Sequence, residues 1–157
     1  MAYTFSEGQS GALSTIAINT TGSTYVAIEE ALSIAQSGND VTMIPSTNLQ
    51  SVIEESIPGL PSSGEFKVTC IRVDAATATG QQLVQTQFNL GSLQAPIKFQ
   101  LTLAKDAAAG QTTAGDSAIF SAYVSQCTPF GDVSPNKLVE FSFTLKVVSL
   151  FAYTNGS

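Results

Sequence analysis

The sequence predicts a mostly β domain with one short α-helix. Several segments alternate apolar and polar residues with a period of two, and only one segment carries apolar residues at helical spacing. At 157 residues the chain is long enough to bury a core as one domain, which we take to span residues 1–157. The clearest alternation covers residues 137–148, whose apolar face consists of Val139, Phe141, Phe143, Leu145 and Val147.

The N-terminal part of the chain predicts a hairpin. Residues 1–12 mix glycine, serine and a few apolar side chains, and we interpret them as an N-terminal arm without a core of its own. Residues 13–19 and 24–34 are β-rich, and a T-T-G-S cluster separates them, which predicts two strands joined by a turn. The S-G-N-D stretch at 37–40 predicts another turn, and residues 41–44 predict a short strand.

Residues 45–63 predict a long loop, because three prolines interrupt every regular pattern there. A loop of this length in a compact domain tends to be functional. It carries an apolar load that solvated loops lack, namely Leu49, Val52, Ile53, Ile57 and Leu60. Two interpretations stay open: the loop folds back on its own core, or it docks on a partner.

A strand at residues 65–73 leads into the predicted helix. Asp74 suits a helix N-cap, because its carboxylate can accept hydrogen bonds from the free amides of the first turn. The residues that follow place Leu83, Val84 and Phe88 near one stripe, which predicts an amphipathic helix. We expect Gly80 to weaken this helix.

Three further alternating segments predict the remaining strands, at residues 97–103, 118–127 and 137–148. The C-terminal tail, residues 150–157, is apolar for a chain end, and we expect its Phe151 and Tyr153 to contact another surface. The polar faces of the first and third of these strands consist of Lys98, Gln100, Thr102, Glu140, Ser142, Thr144 and Lys146.

Composition and motifs argue against several classes of function. Twelve acids stand against six bases, for a net charge of −6, and no run of Lys or Arg could neutralise several phosphates, so we expect no binding to a nucleic-acid backbone. The chain has no His, which excludes Ser-His-Asp catalysis. With no His and only two cysteines, one chain cannot supply the four ligands of a closed zinc site. Neither the phosphate-binding loop G-x-x-x-x-G-K-[ST] nor the dinucleotide-binding fingerprint G-x-G-x-x-G occurs in the sequence. We predict a protein that is not an enzyme and uses no cofactor or metal.

The carboxylate pairs are poor candidates for catalysis. Glu29 and Glu30 fall in a predicted strand, where neighbouring side chains point to opposite faces, and Glu54 and Glu55 fit a solvated loop. An enzyme built from acids on distant strands is the alternative that these observations leave.

The chain ends and the cysteines bear on the compartment. The first residues lack a basic region and an apolar region, and no apolar run approaches the roughly 20 residues that span a bilayer. We therefore expect synthesis in the cytoplasm and no membrane segment. In that setting Cys70 and Cys127 are interpreted as buried free thiols rather than a disulfide.

The order of segments resembles the major tail tube protein of long-tailed, siphovirus-like bacteriophages. The matching pieces include T-Y-V-A-I-E-E-A-L-S-I, V-T-M-I-P-S-T and I-P-G-L-P-S-S-G-E-F-K-V-T in the first half. They continue with the helix after I-R-V-D, then P-I-K-F-Q-L-T-L, I-F-S-A-Y-V-S-Q and L-V-E-F-S-F-T-L-K-V. The resemblance covers roughly residues 10–150, and the N-terminal arm and residues 105–115 have no distinctive match.

The resemblance implies a β-sandwich or half-open β-barrel with one flanking helix. It also implies hexameric rings whose inner sheets join into a continuous barrel, and rings that stack into the hollow tail tube of the virion after synthesis in the host cytoplasm. The long loop and the chain termini would then make ring-to-ring contacts through Leu49, Val52, Ile53, Ile57, Leu60, Phe151 and Tyr153. The seven polar residues on the two strands would line the lumen or a seam.

The implied partners are other copies of the chain, a tape-measure protein and the tail terminator and tip proteins. DNA would pass through without specific binding, for which a neutral or acidic lining is suited, and Arg72 is the only arginine. A type VI secretion tube subunit is an alternative with the same architecture. A fimbrial or surface β-sandwich module would require a secretory signal, and a carbohydrate-binding or hydrolytic virion protein would be expected to show aromatic platforms or convergent acids.

Overall fold

The computed structural model describes residues 14–50, 52–74, 76, 79–107 and 110–157. The predicted N-terminal arm at residues 1–12 lies outside the described residues. In chain order the elements are β1 Thr15–Asn19, β2 Val26–Ala27, β3 Ala31–Pro45, β4 Ser56–Ile71, α1 Thr79–Asn89, a 3-10 turn at Gly91–Leu93, β5 Ile97–Thr102, β6 Ser117–Thr128, β7 Glu140–Val147 and β8 Ala152–Thr154.

The strands form one antiparallel sheet in the order β2-β1-β5-β6-β7-β4-β3, with β8 paired to β6. β2 and β3 stand at opposite ends of this order, yet only residues 28–30 separate them along the chain. Since consecutive Cα atoms are about 3.8 Å apart, the end of β2 and the start of β3 lie within about 15 Å of each other. The sheet is therefore curved into a half-open barrel, and the predicted mostly β fold with one helix is confirmed.

The apolar side chains at alternate positions pack against each other on one face of the curved sheet. Phe66 of β4 stacks on Phe120 of β6 with ring centroids 4.8 Å apart, and Phe99 of β5 lies 6.0 Å from the same ring. Burial of a side chain of this size contributes about 1.5–3 kcal/mol to folding. The apolar face predicted for β7 is buried at Phe141, Phe143, Leu145 and Val147.

α1 is held against the sheet by a carboxylate from a distant turn. The amides of Gly80 and Gln81 donate to the two carboxylate oxygens of Glu29, at 2.9 and 3.2 Å. The Gln81 side chain is buried and its Nε2 donates to the backbone oxygen of Glu29. Asp74 accepts a hydrogen bond from the amide of Ala76, ahead of the described start of α1 at Thr79, and as a helix N-cap it stays a prediction. Glu29 accepts from two amides of the first described turn because the turn after β2 lies against this end of the helix.

The turn between β2 and β3 corrects one expectation and explains the presence of Gly80 in the helix. Glu29 and Glu30 lie in this turn rather than on a strand, and Glu30 adopts a φ of 52°. Gly80 packs against the backbone of Ala27 and Ile28. A Cβ added to Gly80 would overlap the carbonyl oxygen of Ala27 and lie 2.7 Å from the Cα of Ile28. Gly80 is therefore a requirement of helix–sheet packing, whatever it costs in helix propensity.

The largest departure from prediction concerns residues 31–71. Ala31–Pro45 and Ser56–Ile71 form one long antiparallel hairpin. The predicted turn at 37–40 is part of β3. Gly38 and Gly64 lie opposite each other, and both adopt a φ of 71°. The strands are paired on either side of these glycines, Ser37 with Glu65 and Asn39 with Ser63. The irregular segment is limited to residues 46–55, shorter than the predicted loop at 45–63, since prolines are tolerated in a strand at the edge of a sheet.

Candidate assembly interface

Half of the β3–β4 hairpin extends beyond the rest of the sheet. β4 pairs with β7 only from Glu65 to Ile71, so among the described residues the stretch 37–63 has strand partners only within the hairpin. We call residues 37–63 the projecting hairpin. From Ser37 to Pro45 it extends about 27 Å, at roughly 3.3 Å per residue, before the tip at residues 46–55.

The projecting hairpin carries the apolar residues that the sequence singled out. Their exposed fractions lie between 53% and 107%, and none belongs to the hydrophobic core or packs against it. The alternative that this segment folds back on its own core is therefore contradicted. The residues concerned are Leu49, Val52, Ile53, Ile57 and Leu60.

Three further apolar residues of the projecting hairpin were missed. Val41, Met43 and Ile44 are 43–54% exposed, and the sequence predicts them only as a short separate strand. The signal that could have found them is the continuation of β-rich residues on both sides of the S-G-N-D stretch. With them, apolar side chains lie on both faces of the hairpin, because Val41 and Met43 alternate with Ile44 across the strand.

The tip of the hairpin is closed by a small set of hydrogen bonds. The amide of Ser46 donates to the carbonyl oxygen of Glu55 at 2.9 Å. The hydroxyl of Thr47 both accepts from the Glu55 amide at 2.8 Å and donates to the Glu55 carbonyl at 3.0 Å. These bonds hold the ends of the tip together while its apolar side chains stay exposed.

The base of the projecting hairpin is defined by two glycines. An added Cβ on Gly64 would overlap the carbonyl oxygen of Ser37 and lie 2.7 Å from the carbonyl carbon of Gly38, so the backbones approach too closely for a side chain. Just beyond, the hydroxyl of Ser63 donates to the carbonyl oxygen of Ser149 at 2.8 Å. The hairpin therefore leaves the sheet at a fixed, closely packed crossing.

The charge of the projecting hairpin is one-sided. Between residues 37 and 63 the chain contains Asp40, Glu54 and Glu55 and neither Lys nor Arg. A partner surface that carries bases would meet these acids favourably, with the modest energy of exposed ion pairs.

The C-terminal tail divides into a packed and an exposed residue. Phe151 packs against Phe66 and Phe120 at ring-centroid distances of 5.9 and 5.4 Å, so it belongs to the packing of its own subunit. Tyr153 on β8 is 75% exposed, and as a contact residue between rings it stays a prediction.

The seven polar residues predicted as a lumen or seam face lie on one side of the sheet, which we call the outer sheet face. They alternate with buried residues, and those buried residues share the other face because Phe99 pairs with Phe120 and Leu145 with Val124. Thr144 is nearly buried beside a bulge in β6, where the hydroxyl of Ser125 donates to its carbonyl oxygen. The seven are Lys98, Gln100, Thr102, Glu140, Ser142, Thr144 and Lys146.

The outer sheet face mixes charges of both signs. Lys98 and Lys146 lie on it with Glu140, and β4 adds Lys67 and Glu65 opposite Thr144 and Lys146. Three lysines and two glutamates therefore leave one positive charge on this face. A neutral or acidic lining was expected for a DNA channel, and this face departs slightly from that expectation.

A second exposed apolar region lies at the other end of β4 from the projecting hairpin. Leu138 and Leu32 line a groove of about 350 Å³ there with Ile71, and Lys137 forms an ion pair with Asp132 at 3.1 Å beside it. The sequence did not single out this region, because Leu32 and Ile71 lie on two different strands and Leu138 lies just before β7, so only the folded chain brings them together.

The described residues contain no group of three or more His, Cys, Asp or Glu side chains placed to hold a metal ion. Cys70 and Cys127 are free thiols. Burial, reinforced by the carboxylate of Glu29, raises the pKa of Cys70 to about 12. Burial also raises the pKa of Cys127, against the opposing effect of Arg72. Both groups are therefore held as neutral thiols at ordinary pH. No helix of the described residues is long and apolar enough to cross a membrane.

No protein-family model and no curated protein matches the chain, but solved structures do. A chain in the tail of an empty gene transfer agent particle, refined with C6 symmetry, matches with a TM-score of 0.69 at 16% identity, covering 94% of this chain and 99% of that one. A chain in the tube-terminating cap of the anti-feeding prophage matches with a TM-score of 0.69 at 14% identity, covering 99% and 97%.

A chain in the sheath-tube complex of an extracellular contractile injection system matches with a TM-score of 0.65 at 14% identity, covering 90% of this chain and 88% of that one. At such identities the similarity is one of fold, and it extends over nearly the whole chain. The protein has the fold of chains found in phage-like tail and injection particles.

Proposed function

We propose that this protein is the structural subunit of a bacteriophage tail tube of the long-tailed type. Copies assemble into hexameric rings, the rings stack into a hollow tube in the virion, and DNA passes through the tube on delivery. The subunit is made and assembled in the host cytoplasm. A tape-measure protein inside the tube and terminator and tip proteins at its ends are the expected partners.

The projecting hairpin is the observation that carries this proposal. Its eight exposed apolar residues lie on a two-stranded segment that lacks a third strand or a helix to cover it, among the described residues. A two-stranded hairpin is marginally stable in water unless something packs on it. Large exposed apolar regions of this kind are typical of interaction sites, and a structural subunit supplies the partner as another copy of itself.

The similarity of fold supports the same conclusion. The matched chains belong to a gene transfer agent tail, a tube-terminating cap and a sheath-tube complex. The matches include between 90% and 99% of this chain. The net charge of −6 per copy suits a conduit for DNA, because repeated around a ring it repels a polyanion.

We place the outer sheet face at a seam between subunits rather than at the lumen wall. Its three lysines and two glutamates would retain a passing phosphate backbone more than an acidic lining would. Facing another subunit, the same mixture can pair with opposite charges and fix the register of contact.

Negative-stain electron microscopy with sedimentation velocity tests the proposal. The purified protein is expected to form six-membered rings or hollow tubes as its concentration rises. A protein that sediments as a monomer at high concentration across a range of salt would contradict it.

A tube-terminating subunit is a second candidate, favoured by the match to the anti-feeding prophage cap over 99% of this chain. A terminator closes a tube and does not propagate it. Rings that stay single at every concentration, and that bind to the ends of preformed tubes, would favour this second function over the first.

A further inference from the structure

The end of the C-terminal tail is held by three successive backbone amides. The amides of Thr112, Thr113 and Ala114 donate to one oxygen of Ser157, at 2.8, 2.6 and 3.0 Å. In return, the amide of Ser157 donates to the carbonyl oxygen of Ala114 at 3.1 Å. The three donor residues are exposed, so without Ser157 their amides would face water.

The number of donors points to a charged acceptor at Ser157. A neutral carbonyl oxygen has two lone pairs, and a third donor is favourable mainly when the acceptor carries negative charge. Carboxylates accept two or three backbone amides in proteins, and successive amides aimed at one point are a typical binding site for an anion. The three donors therefore match a carboxylate better than a peptide carbonyl.

The residue before Ser157 fits the same site. The amide of Gly156 donates to Oδ1 of Asp116 at 2.7 Å, and Nε2 of Gln111 donates to the same oxygen at 2.9 Å. A Cβ added to Gly156 would overlap the carbonyl oxygen of Ala114 and lie 2.6 Å from Nε2 of Gln111. The site therefore has room only for glycine at position 156.

β8 brings the tail to this site along an edge of β6 that β7 leaves open. β7 pairs with β6 from Ala122 onward, whereas β8 pairs with residues 117–119, directly after the donor residues. Addition of a strand to a sheet edge and capture of a carboxylate by backbone amides are two modes by which proteins recognise peptides. Both modes occur together here.

Two charged side chains lie beside the site. Asp116 carries a negative charge that opposes a carboxylate at Ser157, although two donors already satisfy its oxygen on the side of the tail. Nζ of Lys105 lies 3.4 Å from the carbonyl oxygen of Thr112 and brings a positive charge to the same loop. Lys105 and the three amide dipoles therefore offset the repulsion from Asp116.

We propose that residues 111–116 form a binding site for a carboxylate, and that its occupant is the C-terminal carboxylate of the same chain, at Ser157. The bound carboxylate anchors β8 on β6, and it fixes the exposed side chain of Tyr153 on the surface of its own subunit. The site is separate from the projecting hairpin and does not depend on the proposed tube.

Hydrogen exchange of the dilute subunit, measured by NMR, tests the proposal. In the unmodified chain the amides of Thr112, Thr113 and Ala114 are expected to exchange at least about tenfold more slowly than in an unstructured peptide. A chain with two glycines appended after Ser157 has a neutral carbonyl at this position, and its three amides are expected to exchange about tenfold or more faster than in the unmodified chain. Ser157→Ala keeps the carboxylate and loses only the hydroxyl, so it should exchange like the unmodified chain.

Gly156→Ala tests the site in a chain of normal length. Its Cβ should displace the tail and speed exchange of the same three amides by about tenfold or more. Asn155→Ala, at the exposed neighbouring position, is the matched control and should leave their exchange unchanged. The amides of β7 should stay protected in every variant, which separates release of the tail from loss of the fold. Should Gly156→Ala fail to fold, the chain with appended glycines decides the question by itself.

Two results would overturn the proposal. Equal exchange in the unmodified chain and the chain with appended glycines would show that the site needs no charge on its ligand. Slow exchange that develops only as the protein concentration rises would show that the occupant is the tail of a second copy. Neither result bears on the tube function, which electron microscopy and sedimentation test separately.

Discussion

The two halves of β4 both carry apolar side chains, and their surroundings are opposite. In the inner half, Phe66, Val68 and Cys70 are buried, whereas in the outer half Ile57 and Leu60 are 53% and 89% exposed. The change occurs at Gly64, where pairing with β7 begins at the next residue. Burial in this strand is therefore set by the presence of a third strand beside it, and hydropathy alone does not determine it.

The difference teaches how one hairpin can serve both folding and assembly. The inner half lies between β3 and β7 and contributes to the core of its own subunit. The outer half also carries apolar side chains, but among the described residues they have nothing to pack against, so their burial is left for contact with another molecule. The energy that the inner half contributes to folding is available in the outer half for association.

Removal of a core aromatic ring should give the largest difference in stability between the two halves of β4. Phe66→Ala, in the inner half, deletes a side chain that is 5% exposed and should lower the free energy of unfolding by about 3–5 kcal/mol, because it leaves a cavity. Leu60→Ala removes a side chain that is 89% exposed and should change it by about 0.5 kcal/mol or less in the dilute subunit. Urea denaturation of both variants measures the contrast. Equal losses would show that the outer half is packed in the free subunit.

Polar replacement in the projecting hairpin should have the next largest effect, and on assembly only. Ile53→Ser combined with Ile57→Ser removes two apolar contacts and should weaken association by about 2–4 kcal/mol, a rise of roughly thirtyfold to a thousandfold in the concentration needed for tubes. Sedimentation and electron microscopy measure it. Leu93→Ser, at an 80% exposed residue outside the hairpin, is the matched control. A double variant that fails to fold would place these residues in the core and contradict the comparison.

The sequence predicted the inner sheet well because its signals are local. β7 alternates strictly over its length, and its buried face at Phe141, Phe143 and Leu145 was predicted for that reason. The projecting hairpin was only half predicted. Its apolar load was clear, but the turn chemistry of Gly38 and the prolines suggested breaks, and strand pairing across the tip is not a local signal.

The cap of α1 was missed for a similar reason. Glu29 lies 51 residues before Gly80, and no spacing rule connects them. Asp74 offered a standard local cap, whereas the contact from Glu29 depends on the tertiary fold. The outer sheet face was predictable as a set because the period of two determines which residues share a side. The charges of Lys67 and Glu65 were not predicted as part of it, because they join this face only through the pairing of β4 with β7.

The glycine crossing that divides the two halves offers a third test. Gly64→Ala should destabilise the subunit by about 1–3 kcal/mol, because the φ of 71° disfavours a side chain and the new Cβ would overlap the Ser37 carbonyl oxygen. Gly22→Ala has a φ of 86° but nothing within 4 Å, so it should cost only about 1 kcal/mol. Thermal melting compares the two. If they are equally destabilised, the close crossing adds nothing beyond the backbone conformation.

High pH should give the smallest and most specific contrast. The folded pKa of Cys70, about 12, lies above its usual value of 9.0, so between these limits the unfolded chain loses a proton that the folded chain keeps. The contribution of Cys70 to stability is therefore fully present below pH 9 and is lost as the pH rises toward 12. Melting temperatures measured from pH 8 to 11 should fall more steeply for the unmodified chain than for Cys70→Ala, in which this titration is absent. Parallel curves would show that Cys70 ionises as easily in the folded inner half as in the unfolded chain, and the inner half would then be more open to water than its burial indicates.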